Sequence, residues 1–156
     1  MAAARQPALF GPGGVPDTLE GRFDLVSLHV ALLIGRLHRD VDPAGPALAQ
    51  AVFDAMFADM DINLREMGVS DMVVGKRVKR MWEAFHGRAT AYEAALDSGD
   101  DATLAEALVR NVWRGEAPDG AALALAARAR AIRAALAAQP MAALARGEAA
   151  FPDLPA

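Results

Sequence analysis

Residues 51 to 96 read AVFDAMFADMDINLREMGVSDMVVGKRVKRMWEAFHGRATAYEAAL, and this stretch decides the fold. Val52, Phe53, Met56, Phe57, Met60, Leu64 and Met67 recur at spacings of three and four residues. On a helix they fill an arc of roughly 140°, the width of a core-facing stripe. Gly68 follows the last of them, where a left-handed residue closes a helix and glycine has no Cβ to clash. Ser70 or Asp71 is then placed to cap a second helix. Val74, Val78, Met81, Phe85, Ala89, Tyr92 and Leu96 run along one face of that helix. Two apolar stripes joined by so tight a turn face each other or share a partner, so the pattern predicts a helical hairpin.

Polar residues complicate both helices. Asp59, Asn63 and Glu66 lie along one edge of the first, with Asn63 inside the apolar arc. Lys76, Arg77, Lys79 and Arg80 open the second, all off its stripe. One expectation is a structural polar network of Asp59, Asn63 and Glu66 with the basic turn across the hairpin, joined by Asn111 further along the chain. The other is a basic face, Lys76, Lys79 and Arg80, presented to a partner.

Working outward, the chain of 156 residues suits a single domain with one substantial core. Its 54% hydrophobic content is inflated by alanine, which favours helix, while β-branched and aromatic residues are sparse. It contains no cysteine, which removes disulfides, thiolate zinc sites and cysteine nucleophiles, and fits a reducing compartment. A formal charge of -4 argues against a general DNA or nucleic-acid binder, whose binding face would be basic throughout. No apolar signal region opens the chain. The greasiest run, Leu25 to Ile34, is half the length a membrane span requires.

An irregular leader is expected over residues 1–15, which hold Pro7, Gly11, Pro12, Gly13 and Gly14, a helical domain over 16–149, and an irregular tail over 150–156. Asp17 is placed to cap a helix running to about Arg39, with Glu20 in the capping-box position. That helix carries two stripes. Leu19, Phe23, Val26, Val30, Leu33, Ile34 and Leu37 form one; Leu25, Leu28 and Leu32 form another nearly opposite. A helix apolar on two sides sits centrally in a bundle, or else one stripe lines a groove for an apolar client. Pro46 begins the next helix. After the hairpin, Asp97-Ser98-Gly99-Asp100-Asp101 forms a turn before a helix from about Ala102 to Arg114. An alanine-rich helix over Ala121 to Ala138 and a short one over Met141 to Arg146 complete about five helices.

No motif rises to an enzyme, a cofactor site or a metal site. Glu83 and His86 have the spacing of helical di-iron ligands, but the second copy and the partner carboxylates are missing. Asp54, Asp59 and Asp61 do not converge on one helix face. His29 reads as a core or boundary histidine, and no phosphate loop or nucleophile elbow frames a serine.

Four stretches carry a resemblance: FDLVSLHVALLIGRL (Phe23 to Leu37), FDAMFADMDINLREMGVSDMVVGKRVKRM (Phe53 to Met81), FHGRATAYEAAL (Phe85 to Leu96) and LAEALVRNVWRG (Leu104 to Gly115). Together they make the chain similar to the ubiquinol–cytochrome c chaperone family, helical assembly factors of the cytochrome bc1 complex. The distinctive parts are D-x-N-x-R-E-x-G-V, then V-G-K-x-x-K, then F-x-G-R-x-x-A-Y. Asp61, Asn63, Arg65, Glu66, Lys76, Lys79, Gly87, Arg88, Tyr92, Arg110 and Asn111 match its recurring positions. The resemblance implies a chaperone that binds newly made cytochrome b, in some members at the ribosome, and it carries over no catalytic or metal residue.

The sequence therefore predicts an all-α bundle built around a helical hairpin. The resemblance implies a bacterial bc1 assembly factor, with no cofactor, whose partner is nascent or unassembled cytochrome b. The expected location is the cytoplasm, with peripheral contact at the inner membrane. Candidate partner-binding residues are Lys76, Lys79 and Arg80 on the basic turn and Leu25, Leu28 and Leu32 on the second stripe. Rival readings are a ribosome- or RNA-contacting factor using Lys76 to Arg80, and a small helical enzyme acting on an isoprenoid or quinone-like substrate.

Overall fold

The hairpin turn is built as the glycine demands. In the computed structural model, which describes residues 2–152, Gly68 has φ 80°, a conformation that an L side chain rarely adopts. Around it the N–H groups of Met67, Gly68 and Val69 donate to the carbonyls of Asn63, Arg65 and Leu64, closing helix α2 (Ala44–Glu66). Helix α3 (Asp71–Ser98) starts at once. Ser70 is its N-cap, yet the Ser70 side chain makes no capping bond, and Asp71 pairs with Arg65 across the turn instead. The two helices meet through Phe53, Phe57 and Phe85, with ring centroids 4.8 to 6.0 Å apart. Such aromatic pairs are worth about 0.5–1.5 kcal/mol each beyond the area they bury.

The hairpin is not the hub, however. Helix α1 (Leu19–His38) packs against α2, α3, α4 (Asp101–Val112) and α5 (Ala121–Ala137), and against the N-terminal segment as well. Its two-sided apolar pattern predicts this position. Leu25 and Leu28 have no exposed surface and Leu32 is 6% exposed. The partner-binding candidates Leu25, Leu28 and Leu32 are thus core residues as folded rather than an open stripe, and full burial of each leucine contributes about 1.5–3 kcal/mol.

Local chemistry explains the remaining ends. Thr18, rather than Asp17, caps α1, its Oγ1 accepting from the Gly21 N–H at 3.1 Å. Asp17 pairs with Arg22 instead. Asp100 caps α4 by accepting from the N–H groups of Ala102 and Thr103. In α5 the buried Ala126 and Ala129 allow close approach, while Ile132 and Leu136 fill the core. Arg36 reaches across from α1 to the carbonyls of Leu136 and Gln139, placing its charge at the negative end of α5. A short α6 (Met141–Ala145) buries Leu144 beside Leu37 and Ala49. Among the described residues these six helices are joined only by 3-10 turns, loops and one isolated bridge, from Phe10 to Val15.

The leader differs from expectation. Ala2–Arg5 and Pro7–Leu9 form 3-10 turns, and Ala4, Leu9 and Val15 are buried in the main core. The Trp113 indole N–H donates to the Gly14 carbonyl at 3.0 Å. At Gly21 an added Cβ would lie 2.1 Å from the Pro16 carbonyl oxygen, so glycine there lets the leader fold onto α1. The Gly and Pro content rules out a long helix but not burial. The tail expected over 150–156 lies, beyond residue 152, outside the described residues.

Candidate functional site

Where α1, α2 and α3 diverge near the hairpin turn, a groove of about 650 Å³ opens to solvent. Its floor follows from the stripe geometry. The outer edges of three stripes supply Phe23 and Val26 from α1, Met60 and Leu64 from α2, and Met81 from α3. Leu19 and Met67, each 52% exposed, extend that apolar surface to its mouth. Arg5, Arg22, Arg77 and Arg80 surround it, with Glu20 as the acidic member of the lining. Arg22 is held at 2.6 Å by Asp17 and lies over the Phe10 ring. Arg5, Arg77 and Arg80 have no carboxylate partner among the described residues. An apolar trough ringed by unpaired guanidinium groups suits an apolar segment that carries negative charge or ends in acidic residues.

Of the partner-binding candidates that the sequence suggests, Arg80 lines this groove, and Lys76 and Lys79 stand exposed on the neighbouring face of α3. Asn63 also lines it, donating from Nδ2 to the Asp59 carbonyl one turn back at 2.6 Å. Among the described residues no ion pair or side-chain hydrogen bond joins Asp59, Asn63 or Glu66 to the expected basic turn of α3. Glu66 is exposed and makes no ion pair among the described residues, Lys79 meets Glu83 of its own helix at 3.9 Å, and Asn111 donates to the Ala107 carbonyl of α4. The charges that do span the turn are those of Arg65, which binds both Asp61 and Asp71. Long lysine and arginine side chains at the start of α3 reach water more easily than the opposite edge of α2, so they stay solvated.

The real buried network lies behind the groove floor. Asp24 is 1% exposed and pairs with Arg88 of α3 and with Arg114 after α4, the latter at 2.9 Å. Burial pushes the Asp24 carboxyl up, and the two guanidinium groups oppose that shift. Arg88 also lies over the Phe23 ring at 5.8 Å, so the network braces the floor of the groove. Tyr92 sits within the same electrostatic neighbourhood, its hydroxyl pushed up by burial. Arg114 occupies the left-handed region at φ 58°, where the Gly115 N–H closes α4 onto the Val109 carbonyl. Sequence reasoning passes over Asp24, although a signal is there: Asp24 lies one turn before Leu28, on the face of the buried second stripe.

His29 is 4% exposed, with Nδ1 bonded to the Leu25 carbonyl at 2.8 Å, and burial lowers its pKa to about 4. It is a neutral core residue. His86 meets Trp82 edge to face, with centroids 4.2 Å apart, and Asp54 accepts from Gln50. No three His, Asp or Glu side chains are gathered around a common point among the described residues. No helix is long and apolar enough to cross a membrane among them.

Comparison with known proteins agrees with this architecture. The solved Cbp3 homolog from Brucella abortus superposes with a TM-score of 0.85 at 40% identity, over 97% of this chain and 83% of that one. The ubiquinol-cytochrome-c reductase complex assembly factor 1 of Xenopus laevis is 28% identical over 105 residues. Those residues are 67% of this chain and 52% of the frog protein, so the match spans about half of that relative's length. The family model for the ubiquinol-cytochrome C chaperone matches residues 13–151, which include every groove helix and the Asp24 network. The chain belongs to the ubiquinol-cytochrome C chaperone family.

Proposed function

We propose that this protein is an assembly chaperone of the ubiquinol–cytochrome c reductase complex, and that it holds an apolar segment of unassembled cytochrome b in the α1–α2–α3 groove. The observation that carries the reading is the groove itself, a trough of Phe23, Met60, Leu64 and Met81 edged by unpaired Arg77 and Arg80. A membrane protein awaiting assembly exposes apolar helices flanked by polar loops, and a groove with a charged rim shields the first while steering the second. Three methionines line the trough, at positions 60, 67 and 81; their unbranched, polarizable side chains repack around clients of differing shape. The site works at the cytoplasmic face of the inner membrane, where the client's loops emerge.

The test is genetic and paired. Deleting the gene should lower assembled bc1 complex and cytochrome b together while other respiratory complexes persist. Met81→Glu, which sets a carboxylate on the apolar floor that a bound client would have to desolvate, should reproduce the deletion although the protein accumulates. Normal cytochrome b in the deletion strain would end the chaperone reading; normal cytochrome b with Met81→Glu would end the groove assignment.

A further inference from the structure

Beyond the groove mouth, the hairpin tip presents a second surface. Met72 is 88% exposed, Ile62 54%, Met67 52% and Val73 41%. These four residues lie within residues 62–73, at the end of α2 and the start of α3, and each keeps 41% or more of its surface exposed. Basic residues surround them. Lys76 and Lys79 lie four and seven positions after Met72, on the same face of α3, opposite the Val74, Met81 and Phe85 side. Residues 61 to 80 carry five basic and three acidic side chains, in a chain whose formal charge is -4. Arg65 binds two of those three carboxylates, Asp61 and Asp71.

We propose that the α2–α3 tip is a membrane-docking surface, seating Met72 and its apolar neighbours among the headgroups of a bilayer rich in anionic phospholipid. Charge and apolarity together select this occupant. Nucleic acid would satisfy Lys76 and Lys79 but leave Met67, Met72 and Val73 in water. A neutral bilayer would accept the apolar side chains and gain nothing from the lysines. An anionic bilayer offers the hydrocarbon boundary and negative phosphates at adjacent depths, which is the arrangement of the tip. Met67 lies on the tip and also lines the groove mouth, so the two surfaces adjoin at the hairpin turn. The inference does not depend on the identity of the client, since vesicles contain none.

The experiment is cosedimentation of the full chain with vesicles of phosphatidylglycerol and phosphatidylcholine, against vesicles of phosphatidylcholine alone. Binding should require phosphatidylglycerol and weaken as salt is raised. A basic side chain near an anionic surface contributes about fivefold, so Lys76→Gln with Lys79→Gln should lower partitioning by about 25-fold. Met72→Ser should lower it by about tenfold, and Leu123→Ser, at an exposed site on α5, should leave it unchanged. Lys76→Arg with Lys79→Arg keeps the charge and should keep the binding. Every substituted side chain is exposed, so the variants should melt with the wild type. Failure of the wild type to bind anionic vesicles, or equal binding to neutral ones, would overturn the proposal. So would indifference to either tip variant: an unaffected lysine variant removes the headgroup contact, and an unaffected Met72→Ser leaves only electrostatic adsorption.

Discussion

Asp24 is the residue on which most of the buried charge depends. Arg88, its partner on α3, has a side chain only 14% exposed. Removing the carboxylate therefore strands a guanidinium away from water. Asp24→Ala should cost about 3–5 kcal/mol, read as a lower denaturant midpoint, because a broken buried pair leaves an uncompensated charge. Arg114 makes a subtler case. Its backbone stands at φ 58°, a conformation costing a non-glycine residue about 1 kcal/mol or more, and its side chain reaches Asp24. Arg114→Ala loses the pair and keeps the strain; Arg114→Gly loses the pair and relieves it. The glycine variant should thus be the more stable of the two by about 1 kcal/mol. His29 sets an acid-side dependence. With its folded pKa lowered to about 4, the fold disfavours the protonated ring, and the unfolded chain takes up the proton first. Its contribution is complete above about pH 6.5 and is lost as pH falls toward 4, by up to about 3 kcal/mol. His29→Leu should flatten that slope in a series of melting curves, since the bond it loses is only to its own helix.

At the scale of elements, the hairpin and the central helix were legible because burial writes itself into spacing. The stripe from Val52 to Met67, a glycine at 68 and a second stripe from Val74 to Leu96 leave little choice but two packed helices. Phe57→Ala should cost about 3–5 kcal/mol, as that ring is 8% exposed and meets Phe53 and Phe85. A stability loss below about 1 kcal/mol would mean that the hairpin does not close on that face. The groove was harder to read. Periodicity tells which side of each helix is apolar, but not where three helices diverge and leave the outer stripe residues uncovered. Leu25, Leu28 and Leu32 were candidates for an open surface by the same pattern that leaves Phe23 half-buried at the groove. The difference is set by α5 and the leader, whose docking no local spacing announces. Ala4, Leu9 and Val15 show this most clearly, because a Gly- and Pro-rich segment of that composition carries no period at all. The basic turn was legible as a surface, and its partners were not: charge pairing depends on side-chain reach, which placed Arg65 between Asp61 and Asp71 and left Lys76, Arg77 and Arg80 without carboxylate partners among the described residues.

For the molecule as a whole, rigidity and openness are divided between two ends. Around α1, α4 and α5 the core is alanine-tight and pinned by Asp24 and Arg36. Near the α2–α3 turn α1, α2 and α3 frame an open groove, with Met67 half-exposed at its mouth and Arg77 and Arg80 without a carboxylate partner among the described residues. That division suits a protein that must remain folded while it holds something unfolded. On the proposed function, the open end receives cytochrome b. The most direct measurement places a photo-crosslinking amino acid at Met81 in the trough, and in a second protein at Leu123 on α5, in cells that make the bc1 complex. A crosslinked product containing cytochrome b is expected from position 81 and none from position 123. Equal crosslinking from both sites, or none from position 81 while cytochrome b is being made, would contradict it.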